Sequence, residues 1–459
     1  MAIQRVKKCT LCTTEFNTSQ IKAKYCPDCR PRKARIKTQS DRRFKTAQNR
    51  IERLPQSEEW LWVARECRRA GTVEILQGVD LVALFAVYKS KFKTYGYDSE
   101  SKKSKFHICH IAPVAGKDSV GLLHHLNLFI GSAFHNQVHS NQSYPDRGLF
   151  ISNEKLKRKW KVEGNNSDRT ILSKVQQYLG QTLIDYAKDN PISTATRFGL
   201  ARWVFQNDPD NILQLKKLEI MSARELRAIK AKVEGKEVYN LSYPAKRSFV
   251  VMLEECQRLS EQLPDGQHKE DIAFMTSVLL VAIAWLSRLR GQEGLSNILE
   301  KPYGVKWTPL KLREGMDVSK LRDFVGFQSF QALQGAPVDR MMIRNTLNKY
   351  LAVTSLSPDY SASNSSMQRH FSEEYSRFVM QVPLVKNAII SLGLPDKVML
   401  AEELTKVEEA AKEEAVYTSF GYEQCEGPLD YSTIHYEIED DYIPNPNLRT
   451  VTEEVFVDF

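Results

Sequence analysis

No stretch of this chain is apolar for long enough to cross a bilayer. The longest apolar segment, Ile272 to Leu286, spans fifteen residues and includes Thr276 and Ser277, against the roughly twenty that a membrane helix needs. The expectation there is a buried core helix and no membrane partner. Internal repeats and low-complexity tracts are missing too, which excludes repeat arrays. The opening residues, Met1 to Lys8, hold no apolar core of the kind a secretory leader requires. A reducing cytoplasm is therefore the expected compartment, with cysteines free for metal.

Acid is scarce at the front. Residues 1–60 hold fifteen Lys and Arg against six Asp and Glu, a balance of +9 that equals the net charge of the whole chain. Base is scarce at the back, where residues 401–459 hold sixteen acids against three bases, so the stretch between carries +13. A basic front and middle point to a polyanionic partner. The tail reads either as a solubilising segment or as an acidic competitor for the basic face.

Four of the eight cysteines stand as Cys9-x-x-Cys12 and Cys26-x-x-Cys29, with thirteen residues between the pairs. Two such knuckles supply four thiolates for tetrahedral zinc, and Pro27-Asp28 suits the turn of a knuckle. Disulfides or a redox CxxC are the alternatives, and with no secretory leader ahead of the motif one structural zinc in a reducing cytoplasm is the more economical reading. About forty residues bury too little apolar surface to fold alone, so a structural zinc contributing roughly 10–16 kcal/mol would hold this module. Cys67, Cys109, Cys256 and Cys425 are scattered.

Histidine is also rare, yet six of nine fall between His107 and His139. The order is His107-Ile108-Cys109-His110-Ile111-Ala112-Pro113, then His124-His125-Leu126-Asn127-Leu128, then His135-Asn136-Gln137-Val138-His139. Imidazole binds metal when neutral and exchanges a proton near neutral pH. His135 and His139, four apart on an expected helix, share one face and can grip one cation. His124 and His125 read as hydrogen-bonded surface or core residues.

This order resembles the HNH, or His-metal finger, endonucleases, over about residues 104–141. The resemblance implies a strand hairpin followed by a helix, with His110 as the base that activates water and Asn127 as the residue that orients hairpin and imidazole. His135 and His139 occupy its metal-binding helix positions. The catalytic divalent metal would stabilise charge on the scissile phosphate and the departing 3′ oxygen. Where the family carries Asp or His before the base, this chain has Cys109. A thiolate ligand would favour zinc or another transition metal over magnesium. His107, on the same side of a strand as Cys109, is the alternative ligand.

Three basic runs flank these motifs: Arg30 to Lys37, Arg42-Arg43-Phe44-Lys45, and Lys155 to Lys161. Arg32, Lys33, Arg35, Lys157, Arg158 and Lys159 are candidate phosphate contacts, and Trp160 or Phe44 could stack on a base of an opened strand. The implied partner is nucleic acid, double-stranded DNA in the first place.

The expected architecture is mainly α and multidomain. It comprises a four-cysteine zinc module (1–40), a helical connector (41–99), an HNH-like core with its basic flank (100–165), a helical domain (166–420) and the acidic tail (421–459). Apolar spacing predicts helices over Thr38–Leu54 and Glu58–Tyr95. Ser167-Asp168 caps a helix through Tyr186, and Ser222-Ala223-Arg224-Glu225 is a capping box. Ser355 to Gln368 reads as a loop. Residues 166–420 carry no chemical motif, and DNA gripping, protein binding and oligomerisation all stay open for them. The expected function is a metal-dependent endonuclease. A catalytically inactive, zinc-containing nucleic-acid-binding protein is the second reading, and an interaction factor with structural zinc alone is the third.

Overall fold

The structure is a computed structural model that describes residues 4–93, 97–98, 103–139, 142, 144–238, 248–286, 307–358 and 373–422. It is mainly helical, with a few two-stranded sheets. Among the described residues no helix is long and apolar enough to cross a membrane. The chain divides into two compact units, Met1–Ala273 with Gly326–Val338, and Phe274–Val325 with Asp339–Phe459.

The first unit opens with β1 (Arg5–Lys8) and β2 (Glu15–Thr18), antiparallel with Arg5 opposite Thr18 and Lys8 opposite Glu15. Helix α1 (Cys29–Ile51) starts at the last cysteine of the second knuckle. It begins nine residues before the expected Thr38, because Pro31 falls in the first turn, where no backbone N–H bond is needed, and the basic run carries the helix on.

The expected helix over Glu58–Tyr95 is two helices, α2 (Glu58–Ala70) and α3 (Leu81–Lys93). Asp80 explains the second start, since its Oδ1 accepts from Val82 N at 2.9 Å and Ala83 N at 3.1 Å, the bonds of an N-cap. Trp60 of α2 is fully buried, edge-on to Phe85 of α3 and to Tyr186. Trp62 stacks on Tyr88 at 4.8 Å.

Two short strands, β3 (Tyr97–Asp98) and β4 (Lys103–Ser104), precede β5 (Phe106–His110). Then come β6 (Ser119–Gly121), β7 (Leu128–Ser132), α4 (Ala133–His139) and β8 (Phe150–Ser152). β5 pairs antiparallel with β7, His107 opposite Gly131 and His110 opposite Leu128, and β6 pairs with β8.

The helix expected through Tyr186 is broken into α5 (Asp168–Leu179) and α6 (Gln181–Asp189) by Gly180 at φ 49°, a conformation that other residues resist. Next come α7 (Thr196–Asn207), α8 (Leu215–Leu218) and α9 (Ala223–Glu234). The α9 capping box is formed in both directions between Ser222 and Glu225. α10 (Ser248–Gln262) and the start of α11 (Gln267–Leu286) complete the chain to Ala273.

This unit extends well past residue 165. Val251 of α10 packs with Phe106 and Ile130. From Gly326–Val338, Phe330 meets Phe129 edge-on at 5.4 Å. The hairpin β5–β7 has an apolar face that its own short helix cannot cover, so distant segments do.

The second unit holds β9 (Leu310–Leu312) paired with β10 (Leu351–Val353), the start of α12 (Val318–Gln334) and α13 (Arg340–Tyr350). It also holds α14 (Glu373–Ser391) and α15 (Lys397–Tyr422). Asp339 caps α13 by accepting from Met342 N at 2.9 Å. α15 contains the Glu-rich stretch 402–414. Residues 359–368 of the expected Ser/Asn-rich loop, and the tail from residue 423, lie outside the described residues.

Candidate functional site

At the front of the chain, turn geometry gathers the four cysteines. Cys9 N donates to Thr14 O at 2.9 Å, and Thr13, at φ 62°, returns a bond to Cys9 O at 2.9 Å, which closes the first knuckle. Arg30 N bonds Cys26 O at 3.0 Å in the second. The four Sγ atoms all lie within 4.8 Å of one another, Cys9, Cys26 and Cys29 buried and Cys12 exposed.

Burial works against ionisation of Cys9. Hydrogen bonds from the backbone of Cys26, Cys12 and Leu11 outweigh it and hold the thiol down to about 6. The side chains of Cys26 and Cys12, with burial, push Cys29 up to about 12. Four thiols thus crowd together and divide their protons unequally, an arrangement that a divalent cation relieves by replacing protons. The cluster can hold a structural metal such as zinc. Among the described residues it is the only group of three or more His, Cys, Asp or Glu placed for a metal.

The histidine segment folds as β5, a loop, β7 and then α4. Asn127, fully buried, sits at the junction of loop and β7. Its Oδ1 accepts from Ala112 N at 2.8 Å and Leu149 N at 3.1 Å, and its Nδ2 donates to Ala112 O at 3.1 Å and Leu122 O at 2.9 Å. Its own carbonyl accepts from Ile111 N at 2.9 Å. One side chain therefore ties down the backbone that follows His110. Gly148, at φ 73°, makes this possible, because a Cβ there would lie 2.3 Å from Asn127 Oδ1 and 2.6 Å from Ala112 N.

His110 ends β5 with Nε2 buried and without a hydrogen-bond partner. Burial, with a smaller contribution from the Arg69 guanidinium, pushes the imidazole down to about 3, so it is neutral. Arg69 itself pairs with Glu66 at 2.9 Å. Cys109 is buried, and its thiol donates to His107 O at 3.6 Å; burial raises its ionisation well above the ordinary range. His107 Nδ1 lies 3.2 Å from Asn136 Nδ2 on α4.

The His135 ring is surrounded by Phe134, Phe327 and Phe330 at centroid distances of 5.5, 6.2 and 5.6 Å. His139 ends α4, and its side chain lies outside the described residues. The structure brings His110 and Asn127 to one hairpin end and, among the described residues, does not gather Cys109 and His135 with a third ligand. His124 and His125 stack on each other at 4.3 Å, with His124 Nδ1 accepting from Leu126 N.

Residues far away in the chain support this hairpin, and no motif marks them. Glu255, buried on α10, accepts from Ile130 N at 3.1 Å. Arg258, one turn on, pairs with Glu255 at 2.7 Å and donates to Leu128 O at 2.7 Å and His125 O at 3.2 Å. An E-x-x-R pair within a helix looks like ordinary surface spacing. Only its burial against β7 reveals the role.

The basic candidates are spread over two surfaces. Arg32, Lys33 and Arg35 are exposed on α1, with Lys33 Nζ 5.8 Å from the Tyr25 ring. Lys157, Arg158 and Lys159 are exposed after β8, and Lys157 N is fixed by Glu74 at 2.7 Å. Trp160 is half-buried, edge-on to Tyr178 at 5.1 Å, with Lys159 Nζ 4.5 Å over its ring. Beside it opens a groove of about 590 Å³ lined by Phe150, Lys155, Lys157, Trp160 and Tyr178. No family model, curated protein or solved structure matches the chain.

Proposed function

We propose that the chain is a metal-dependent endonuclease of the HNH type, hydrolysing phosphodiester bonds in double-stranded DNA. The observation that carries this reading is at the end of β5. A neutral imidazole with a buried, unpartnered Nε2 stands beside a backbone that Asn127 ties in place with four hydrogen bonds. With its proton on Nδ1, His110 carries a lone pair on Nε2 that accepts a proton from water once substrate binding opens that enclosed atom to the water. The water oxygen bonds to phosphorus as the bond to the 3′ oxygen breaks, and the departing oxygen takes a proton from solvent to leave as a hydroxyl.

Burial favours the neutral ring, so the imidazolium that forms has to be stabilised. The phosphodiester anion at the site supplies the opposite charge, and the Arg69 guanidinium, whose charge acts on the His110 ring, favours an anion there. The proposed metal is zinc or another transition metal, with His135, His139 and either Cys109 or His107 as ligands. As placed in the structure, the described members of that set do not fit a closed site, since Cys109 Sγ faces a carbonyl and His135 lies among phenylalanines.

That mismatch favours one second reading, a catalytically inactive zinc-containing protein that binds nucleic acid. Supercoiled plasmid incubated with the purified chain and separate divalent metals decides between them. Metal-dependent nicking, abolished in His110→Ala with DNA affinity unchanged, supports the nuclease. Binding without nicking under every metal supports the second reading, and retained nicking in His110→Ala removes His110 from its role.

A further inference from the structure

Helix α1 is unlike the other helices of its unit. Over Cys29–Ile51 it carries nine Lys and Arg with one acid, Asp41, and buries only Cys29, Ala47 and Ile51. Every side chain from Arg30 to Thr46 is exposed. A helix polar on all sides has no apolar stripe to hold it, yet this one is fixed at both ends. Cys29 belongs to the four-cysteine cluster. At the other end Arg43 pairs with Asp189, and Arg50 bonds the α6 carbonyls of Ala187 at 2.8 Å and Lys188 at 3.0 Å. A rigid rod is thereby presented to solvent.

Successive residues turn by about 100° on a helix, which sorts the charges onto two flanks. Arg30, Lys33 and Lys37 share one side, and Arg32, Arg35 and Arg42 the opposite side. Between the flanks, on one edge, lie Pro31, Ala34 and Thr38, the Thr38 hydroxyl turned back to Ala34 O at 3.0 Å, with the helix's one acid, Asp41, at the far end of that edge. Ile36 occupies the other edge. A flat anionic surface would need only one basic flank. Two basic flanks about a narrow edge of small residues suit a channel with phosphates on both walls.

We infer that α1 seats in the major groove of B-form duplex DNA, with Ala34 and Thr38 toward the base edges and the two basic flanks on the phosphates of the two strands. The inference rests on the proposed nucleic-acid reading and deepens it. The dimensions agree, since a helix about 10–12 Å across matches a groove about 12 Å wide. The free length from Arg30 to Arg42 is about 20 Å, or about six base-pair steps. A-form RNA has a deep, narrow major groove that excludes a helix, so duplex RNA is the wrong substrate for this seat.

The test is fluorescence anisotropy of the zinc-loaded full chain with a DNA duplex and an RNA duplex of the same sequence. DNA should bind about tenfold or more tightly than RNA. Ala34→Trp, which adds bulk at the floor edge and leaves charge unchanged, should weaken DNA binding about tenfold, while Ile36→Trp stays within about twofold. Both positions are exposed, and circular dichroism with zinc content checks that α1 and its module persist. Methyl green, a major-groove dye, should compete, and the minor-groove ligand netropsin should not. Equal affinity for the two duplexes, or equal effects of the two Trp substitutions, overturns groove seating while nucleic-acid binding stands. No binding to either duplex at low salt overturns the proposed function as well.

Discussion

Asn127 illustrates how one buried amide organises a loop. Replacing it with Leu leaves the N–H groups of Ala112 and Leu149 and the carbonyls of Ala112 and Leu122 without partners. At about 1–3 kcal/mol per orphaned buried group, the loss of stability should exceed about 3 kcal/mol. Urea denaturation of the variant measures it. Gly148→Ala should cost a similar amount by crowding the same oxygen. A loss below about 1 kcal/mol in both would show that Asn127 is not the tie of the loop. At the same scale, His110 makes stability depend on pH. Its folded ionisation, about 3, lies below the ordinary value of 6.5, so the unfolded chain binds more protons between those values and stability falls as pH drops from about 6.5 toward 3. Other histidines shifted the same way, His107, His124, His125 and His268, add to the slope. His110→Gln should therefore flatten, not abolish, the loss seen between about pH 7.5 and about pH 5. An unchanged slope would mean that the ring is charged or solvated in the native state.

Among elements, the cysteine module and α1 are joined at Cys29, so the metal and the helix should report on each other. Cys26→Ser should release one zinc per chain, detected by native mass spectrometry, and lose the β1–β2 hairpin. The β5–β7 hairpin, whose core shares no residue with the cysteine cluster, should persist. Zinc retained in full by this variant, or a Cys9–Cys29 disulfide, would remove the structural-zinc reading. Affinity for DNA should also fall linearly with the logarithm of salt, by about −0.9 per phosphate contact. Replacing Arg32, Lys33 and Arg35 with Ala should flatten the slope, and replacing Lys157, Arg158 and Lys159 should flatten it further. These elements were partly legible beforehand. The knuckles were written in four cysteines, and the α9 cap in Ser222 and Glu225. The helix boundaries near Ala70, Asp80 and Gly180 were not, because apolar spacing runs through them and the break depends on local backbone conformation.

At the scale of the whole molecule, the hairpin with His110 depends on residues more than a hundred positions away. Arg258→Met should leave the Glu255 carboxylate buried at 5% exposure without its partner, at a cost of about 3–5 kcal/mol, and free the Leu128 and His125 carbonyls. Hydrogen exchange should then speed up at Ile130. A chain ending at residue 165 should not form a stable hairpin, because Val251 and Phe330 no longer cover it. A folded, protected hairpin in that short chain would show that residues 1–165 suffice. The sequence by itself determined what covalent order can carry: four thiols at knuckle spacing, a cluster of histidines about a central Asn127, a basic front, and no membrane-length helix among the described residues. Each is a short-range pattern whose chemistry follows from residue type and spacing. Tertiary structure alone decided that His110 is half-buried and neutral with its Nε2 enclosed, that Cys109 faces a carbonyl, and that Glu255, Arg258 and Phe330 brace β7. These facts depend on which distant surfaces meet, and burial and pairing, unlike spacing, are properties of the folded chain and not of any one segment.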